Sequence, residues 1–241
     1  MSGRFLSASG EYIEGTDSVY NGAIRKVNGC TLTGWIYPTS ISYSATIFWV
    51  ISTNYWSNPR AYLAINQDGS AEATGRCADG DSNQACISSA GVISTGHHYH
   101  VAGLFDFTNK TINLYVNGSN VKSVSGLSWS NAPTSDTDST LTMIGGYTAG
   151  THWFDGYIED CRSYNRLLSV NEVVSMYNSF GRDSILYGLQ NRYRLMGGNG
   201  VTINPEYDLA YRQYSLTRAS GTRPKYSEDH NFVKTGRSAT V

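Results

Sequence analysis

Glu159 and Asp160 stand side by side, two residues from Arg162, in the run GYIEDCRSYN at 156–165. A pair of carboxylates is what glycoside hydrolysis requires, with the two groups either about 5–5.5 Å or about 6.5–9.5 Å apart. Neighbouring side chains on an extended strand take opposite faces, so this spacing predicts that the two acids do not work as a pair. Calcium is the other carboxylate chemistry to weigh, since hard oxygen ligands commonly come from loops. Two loops offer alternating acids: ADGDSNQ with Asp79, Asp81 and Asn83, and TSDTDST with Asp136 and Asp138. Neither follows the EF-hand pattern, and Asp-rich turns also serve simply as turns. Calcium at Asp79, Asp81, Asp136 and Asp138 is therefore an expectation to carry forward. His97, His98 and His100 form HHYH; His98 and His100 share a strand face, but without a third ligand nearby they are expected to pack and hydrogen-bond.

Aromatic side chains in loops are the usual sugar contacts, because a ring face stacks on C–H groups while polar neighbours bond hydroxyls. STNYWSNPR offers Tyr55, Trp56 and Asn58; LSWSNAP offers Trp129 and Asn131; GGYTAGTHWFDG offers Tyr147, His152 and Trp153. Trp56 is expected to meet sugar, and Trp153, just before a strand, to cap the core. No nucleophile elbow, P-loop or dinucleotide fingerprint is present.

These residues need a scaffold. In 241 residues, 15% are charged, 25 are Gly and 5 are Pro, a composition of short strands and turns rather than helical bundles. CTLTGWIYP alternates, with Cys30, Leu32, Gly34 and Ile36 on one face and Thr31, Thr33 and Trp35 on the other, and Pro38 is expected to end the strand. ATIFWVIST is more continuously apolar and reads as a strand covered on both sides. Hairpin turns are expected at Asp68-Gly69, Thr108-Asn109-Lys110 and Asn117-Gly118. STLTMIGGYT and WFDGYIEDCRSYN complete a set of short, evenly spaced strands, which argues for an antiparallel sandwich. One helix is marked by a capping box at Ser169 and Glu172, an apolar stripe of Val173, Met176, Tyr177 and Phe180, and a stop at Gly181. Of the four cysteines, Cys77 and Cys86 flank a polar loop and can face each other as a disulfide if register allows, whereas Cys30 and Cys161 read as buried apolar residues.

Charge divides the chain. Residues 182–241 hold nine Lys/Arg and five Asp/Glu, a net of +4, against −5 for residues 1–181. The basic tail lacks a dense Lys/Arg run, so nucleic acid is not the expected partner. Beyond 200 the sequence is polar and aperiodic, but Tyr207, Tyr211, Tyr214 and Tyr226 are more aromatics than a solvated linker carries. That pattern predicts an extended arm docking on its own body or on a neighbouring subunit. No apolar stretch reaches signal-peptide or membrane-spanning length, which predicts a soluble protein made in the cytoplasm.

Several segments then fall into one order: LSASGEYIEG, CTLTGWIYP, HYHVAGLFD, INLYVNG and FDGYIEDCRSYNRLLSVNEV. This resembles a laminin-G-like module of the concanavalin A-like lectin/glucanase superfamily over about residues 5–180. Two details depart from the family pattern: His98 stands where a Trp is usual, and the two acids of Ile158-Glu159-Asp160-Cys161 are swapped. The resemblance implies an all-β, two-sheet antiparallel jelly-roll sandwich that binds sugars or proteins and is not catalytic. It further implies that Glu159, Asp160 and Arg162 pair with neighbouring strands. The E-x-D-x-x-E strand of the superfamily's glucanases does not occur here.

The resulting expectation is a jelly-roll domain over 1–181 with one short helix and an extended C-terminal arm over 182–241. Its function is expected to be that of a non-catalytic virion structural protein from a bacteriophage, decorating a capsid or forming part of a tail. The chain would form homo-oligomers and present a lectin-like body to host glycans, without membrane or nucleic acid as partner. The alternatives are a carbohydrate-binding lectin-like protein with no particle role, and a polysaccharide-degrading enzyme.

Overall fold

A computed structural model describes residues 3–5, 11–15, 24–42, 45–51, 60–135, 141–146, 152–195, 203–204 and 215–218. Tyr55, Trp56, Asn58, Asp136, Asp138, Tyr147, and Tyr207, Tyr211, Tyr214 and Tyr226 of the arm lie outside the described residues.

The strands are β1 (Gly3–Phe5), β2 (Glu11–Gly15), β3 (Gly29–Ser40), β4 (Ala45–Ile51), β5 (Ala61–Ile65), β6 (Ala71–Gly75), β7 (Gln84–Ile87), β8 (Tyr99–Asp106), β9 (Thr111–Val116), β10 (Ser119–Ser125), β11 (Leu141–Ile144), β12 (Asp155–Tyr164), β13 (Leu189–Leu195), β14 (Ile203–Asn204) and β15 (Ser215–Arg218). They form two antiparallel sheets, the expected jelly-roll sandwich. Sheet A runs β10-β9-β8-β3-β12-β13-β14, with β1 also on β12; sheet B runs β15-β2-β11-β4-β5-β6-β7. Between them lies one core that includes Leu32, Ile36, Leu63, Ala73, Phe105, Leu114 and Ile158. Among the described residues no helix is long and apolar enough to cross a membrane.

The turns follow their sequences. Asn117 and Gly118 both hold left-handed φ, 52° and 75°, and join β9 to β10 as a two-residue hairpin. Lys110 takes φ 54° in the β8–β9 turn, where Asp106 accepts from the Asn109 backbone N–H at 2.8 Å. Gly69 takes φ 76° between β5 and β6, where Asp68 accepts from the Ser70 N–H at 2.9 Å.

Four expectations are corrected by packing. Strand β3 does not stop at Pro38 but continues to Ser40, because Pro38 sits at a register shift opposite Gly156, where no ladder amide is required of it. Nor is only one face of β3 inward: Thr31, Thr33 and Trp35 are buried as well. Helix α1 (Val170–Ser179) and the chain after it cover that outer face through Leu104, Tyr115, Tyr164, Val173 and Met176. The helix starts on the Ser169/Glu172 capping box but ends one residue early. Phe180 is its left-handed C-cap, φ 51° and 73% exposed, its ring stacked on Trp35 at 5.4 Å rather than buried in the stripe. Gly181 follows at φ 73°, and a Cβ there would come within 2.5 Å of Asp160 Oδ2. Finally, no disulfide joins Cys77 to Cys86 or either of them to Cys30 or Cys161, and all four are buried. Register sets Cys86 opposite Ala73, whereas Cys77 lies beyond the end of β6 with Sγ 3.4 Å from the Asn131 carbonyl.

The thiols give the first prediction. Burial pushes Cys86 up to about 11 and Cys161 well above the ordinary thiol range. Ellman's reagent at pH 8 should find almost no reactive thiol in the native protein and all four cysteines in guanidinium, with no reductant needed. Two thiols in unreduced, denatured protein would show a disulfide.

Candidate functional site

Two of the predicted calcium residues and two of the predicted sugar contacts meet at one end of the sandwich. Asp81 is a hub: its Oδ1 accepts from the Ser130 N–H at 2.8 Å, the Ser130 hydroxyl at 3.1 Å, the Asn131 N–H at 3.2 Å and the Asn131 side-chain amide at 3.1 Å. This ties the 76–83 loop to the 127–131 segment. Asp79 is instead paired with Arg76 at 2.9 Å. Trp129 is 1% exposed and packs on Phe107 at 5.5 Å, so it floors the loop and has no free ring face for a sugar. Beside it the Arg60 guanidinium lies 3.7 Å over the Phe107 ring. Asn131 is exposed, but its amide already holds Asp79 and Asp81. Among the described residues no three His, Cys, Asp or Glu side chains are grouped to hold a metal. Trp153 lies over Gly146, where a Cβ would come within 2.1 Å of its ring.

The Glu159-Asp160 question resolves on the outer face of sheet A. Glu159 pairs with Trp35 and Arg162 with Thr33, so Asp160 and Cys161 together oppose one partner residue, a β-bulge. Asp160 takes φ 50° there and joins Arg162 on the outer side, while Cys161 enters the core. The bulge therefore puts both acids on one side, against the alternation expected from sequence. It does not make them a catalytic pair. Arg162 binds both oxygens of Asp160 and donates to Asp183 at 2.7 and 2.9 Å and to the Gly181 carbonyl at 3.2 Å. From β13, Arg192 donates to Asp160 at 2.7 Å and to the Gly181 carbonyl at 2.5 Å. Two guanidiniums and two carboxylates thus balance one another and fasten β12, the chain leaving α1, and β13. Burial alone would raise the Asp183 carboxyl, but hydrogen bonds and charge from Arg162 outweigh it and hold it below the ordinary range. His100 is part of the same packing, 5.2 Å from Trp35, and His98 packs on Tyr37 at 4.7 Å. Both histidines take the packing role expected of them.

A further polar group lies on the face of sheet B turned from the core, where Glu72 and Thr74 are nevertheless buried. Ala61, Leu63, Ile65, Ala71 and Ala73 point inward, so their neighbours on β5 and β6 point out. Register then builds a grid of two rows across three strands: Tyr62, Thr74 and Ala85 in one, Ala64, Glu72 and Ile87 in the other. Glu72 is recessed at 9% exposure, beside a well-exposed Ile87. The Tyr62 and Thr74 hydroxyls both donate to Glu72 Oε1, the latter at 2.8 Å, while Oε2 receives neither. Burial and then the Glu72 charge push the Tyr62 hydroxyl upward, so it keeps its proton at any ordinary pH. The group is a fixed carboxylate with two hydroxyls oriented on it. Sequence reading missed it, although the polar alternation in AYLAI and AEATG was the available signal.

With fold and site in view, the chain can be placed. It matches the family model Laminin_G_3, Concanavalin A-like lectin/glucanases superfamily, over residues 11–174, and it belongs to that family. No curated protein matches the chain. Among solved structures it is similar to the native heptameric SAP-like pentraxin of Limulus polyphemus, with 15% identity, 75% of this chain and 82% of that chain covered, and a TM-score of 0.56. It is also similar to the CBM40 of the Ruminococcus gnavus IT-sialidase bound to α2,3-sialyllactose, with 20% identity, 73% and 97% covered, and a TM-score of 0.56. At these identities the likeness is one of fold.

Proposed function

We propose that the chain is a non-catalytic glycan-binding module whose ligand lies on the outer face of sheet B over Tyr62, Glu72 and Thr74. The carrying observation is the hydrogen-bonded carboxylate and hydroxyl group, recessed beside apolar Ile87 on a lectin-like fold. Polar groups held in place next to apolar surface are what sugar recognition uses. A carbohydrate-bound relative of the same fold, the Ruminococcus gnavus module with sialyllactose, supports the reading. Register argues against Glu14 and Glu72 acting as a hydrolytic pair. Glu14 continues the Tyr62 row through Trp49 and Met143 on β2, but β2 and β6 are four strand steps apart. At roughly 4.8 Å per step that is about 19 Å, against at most about 9.5 Å for a hydrolytic pair.

The test is a glycan array with the full chain, with and without chelator so that any calcium requirement is seen. Glu72→Gln and Tyr62→Phe should each weaken the best ligand about tenfold or more, because each removes a hydrogen bond involving a charged group. Undiminished binding by both variants would contradict the site.

A role in an assembled particle, as a virion decoration or tail component presenting this module to host glycans, is a second reading. It is favoured by the net charge of +4 on 182–241 against −5 on the remainder. Light scattering on the full chain should then give an oligomer, and a monomer at high concentration would contradict it.

A further inference from the structure

We infer that the glycan taken by this face is uncharged or carries an amino group, and that anionic sugars, sialylated ones included, are refused. The inference rests on the glycan-binding reading above and narrows it.

The first ground is the direction of the hydrogen bonds. Tyr62 and Thr74 give their protons to Glu72 Oε1, so neither hydroxyl has a proton left to donate to a ligand. Glu72 Oε2 is an acceptor. Sugar hydroxyls can donate to the Glu72 carboxylate, and an ammonium can do so with its charge complemented. A ligand carboxylate or sulfate only accepts, and would meet acceptors and a like charge.

The second ground is where the cations are. Strands β2, β4, β5, β6, β7 and β11 of sheet B contain no Lys or Arg, while β2 and β6 carry Glu11, Glu14 and Glu72. Arg218 is in β15, the edge strand beyond β2, five strand steps from β6. The segments 41–44, 52–59, 66–70, 77–83, 126–140 and 145–154 also lack Lys and Arg. Arg60 and Arg76 are buried, the first over Phe107 and the second with Asp79. Arg25 and Lys26 belong to the turn whose Val27 carbonyl accepts from Arg60, and whose Asn28 carbonyl accepts from the Phe107 N–H at the sandwich end. Among the described residues, Lys122 of β10 lies beside β7, and the charge fixed on the face itself is that of Glu72.

The experiment is an array of matched oligosaccharides probed with the full chain: neutral cores, the same cores with α2,3- or α2,6-sialic acid, uronic acid or sulfate, and glucosamine oligomers. It is run at low and at moderate salt, with and without chelator. The expected result is binding to neutral or amino forms at least tenfold tighter than to the anionic form of the same core, with the gap narrowing in Glu72→Gln and at moderate salt. Equal or tighter binding of an anionic form, in either chelator arm, overturns the charge assignment and leaves the glycan-binding reading standing. Binding to no glycan of any class overturns both.

Discussion

Arg162→Met is expected to cost about 3–5 kcal/mol of unfolding free energy, the effect of removing one partner from a buried ion pair. The guanidinium serves Asp160, Asp183, the Gly181 carbonyl and the Tyr164 hydroxyl at once, and all of these are sequestered from water behind α1 and its following turn. Without it, Asp160 keeps its hydrogen bonds from Arg192, while Asp183 loses both of those it accepts from Arg162. Arg162→Lys should recover little, because one ammonium cannot reproduce a fork that binds two carboxylates. Urea unfolding followed by tryptophan fluorescence reads the result as a lower midpoint with an unchanged slope. A loss below about 1 kcal/mol, the range of an exposed pair, would mean that the cluster is not a fastening. The same cluster sets an acid limit. Because the folded Asp183 carboxyl lies below its ordinary value, its contribution is present above pH 4 and is lost as pH falls through the folded value.

His100 gives the second large effect, and in the opposite chemical sense. It is 1% exposed, pressed against Trp35, and feels the charges of Arg162, Asp160 and Asp183. Burial first, and the Arg162 charge second, push the imidazole down to about 4. The unfolded chain takes up a proton near pH 6.5 and the folded one does not. Stability is therefore unaffected above pH 6.5, falls as pH drops from 6.5 towards 4, and levels off below. The loss across that window is roughly 3 kcal/mol. His100→Phe keeps a ring against Trp35 and removes the titration. The difference between wild type and variant should vary with pH across this window and be flat at pH 7–8. A pH-independent difference would place the imidazole in contact with water.

How far the sequence carried this reading depended on the range of the interaction. Asn117-Gly118 and the Ser169/Glu172 box are local chemistries, and each forms as its residues dictate. Strand alternation gave the sandwich for the same reason. The bulge at Asp160 is held by partners distant in sequence: Arg192, 32 residues on, bonds Asp160, and Asp183, 21 residues beyond Arg162, bonds that arginine. Trp129 looks like a loop aromatic in sequence and is core because Phe107 meets it. Tyr62, Glu72 and Thr74 span two strands, and only the register of β5 on β6 brings the three together. The loop candidates Asp81 and Asn131 did come together, but to bind each other.

The central claim is that ligand recognition occurs on the outer face of sheet B. Methyl-labelled full chain titrated with the best glycan from the array tests it most directly. The account predicts saturable shifts of the Ala64, Thr74, Ala85 and Ile87 methyl signals, requiring about tenfold or more ligand in Glu72→Gln, with Ala78 and Ala132 at the loop end unmoved. Shifts confined to Ala78 and Ala132, with the sheet B methyls still, would contradict it.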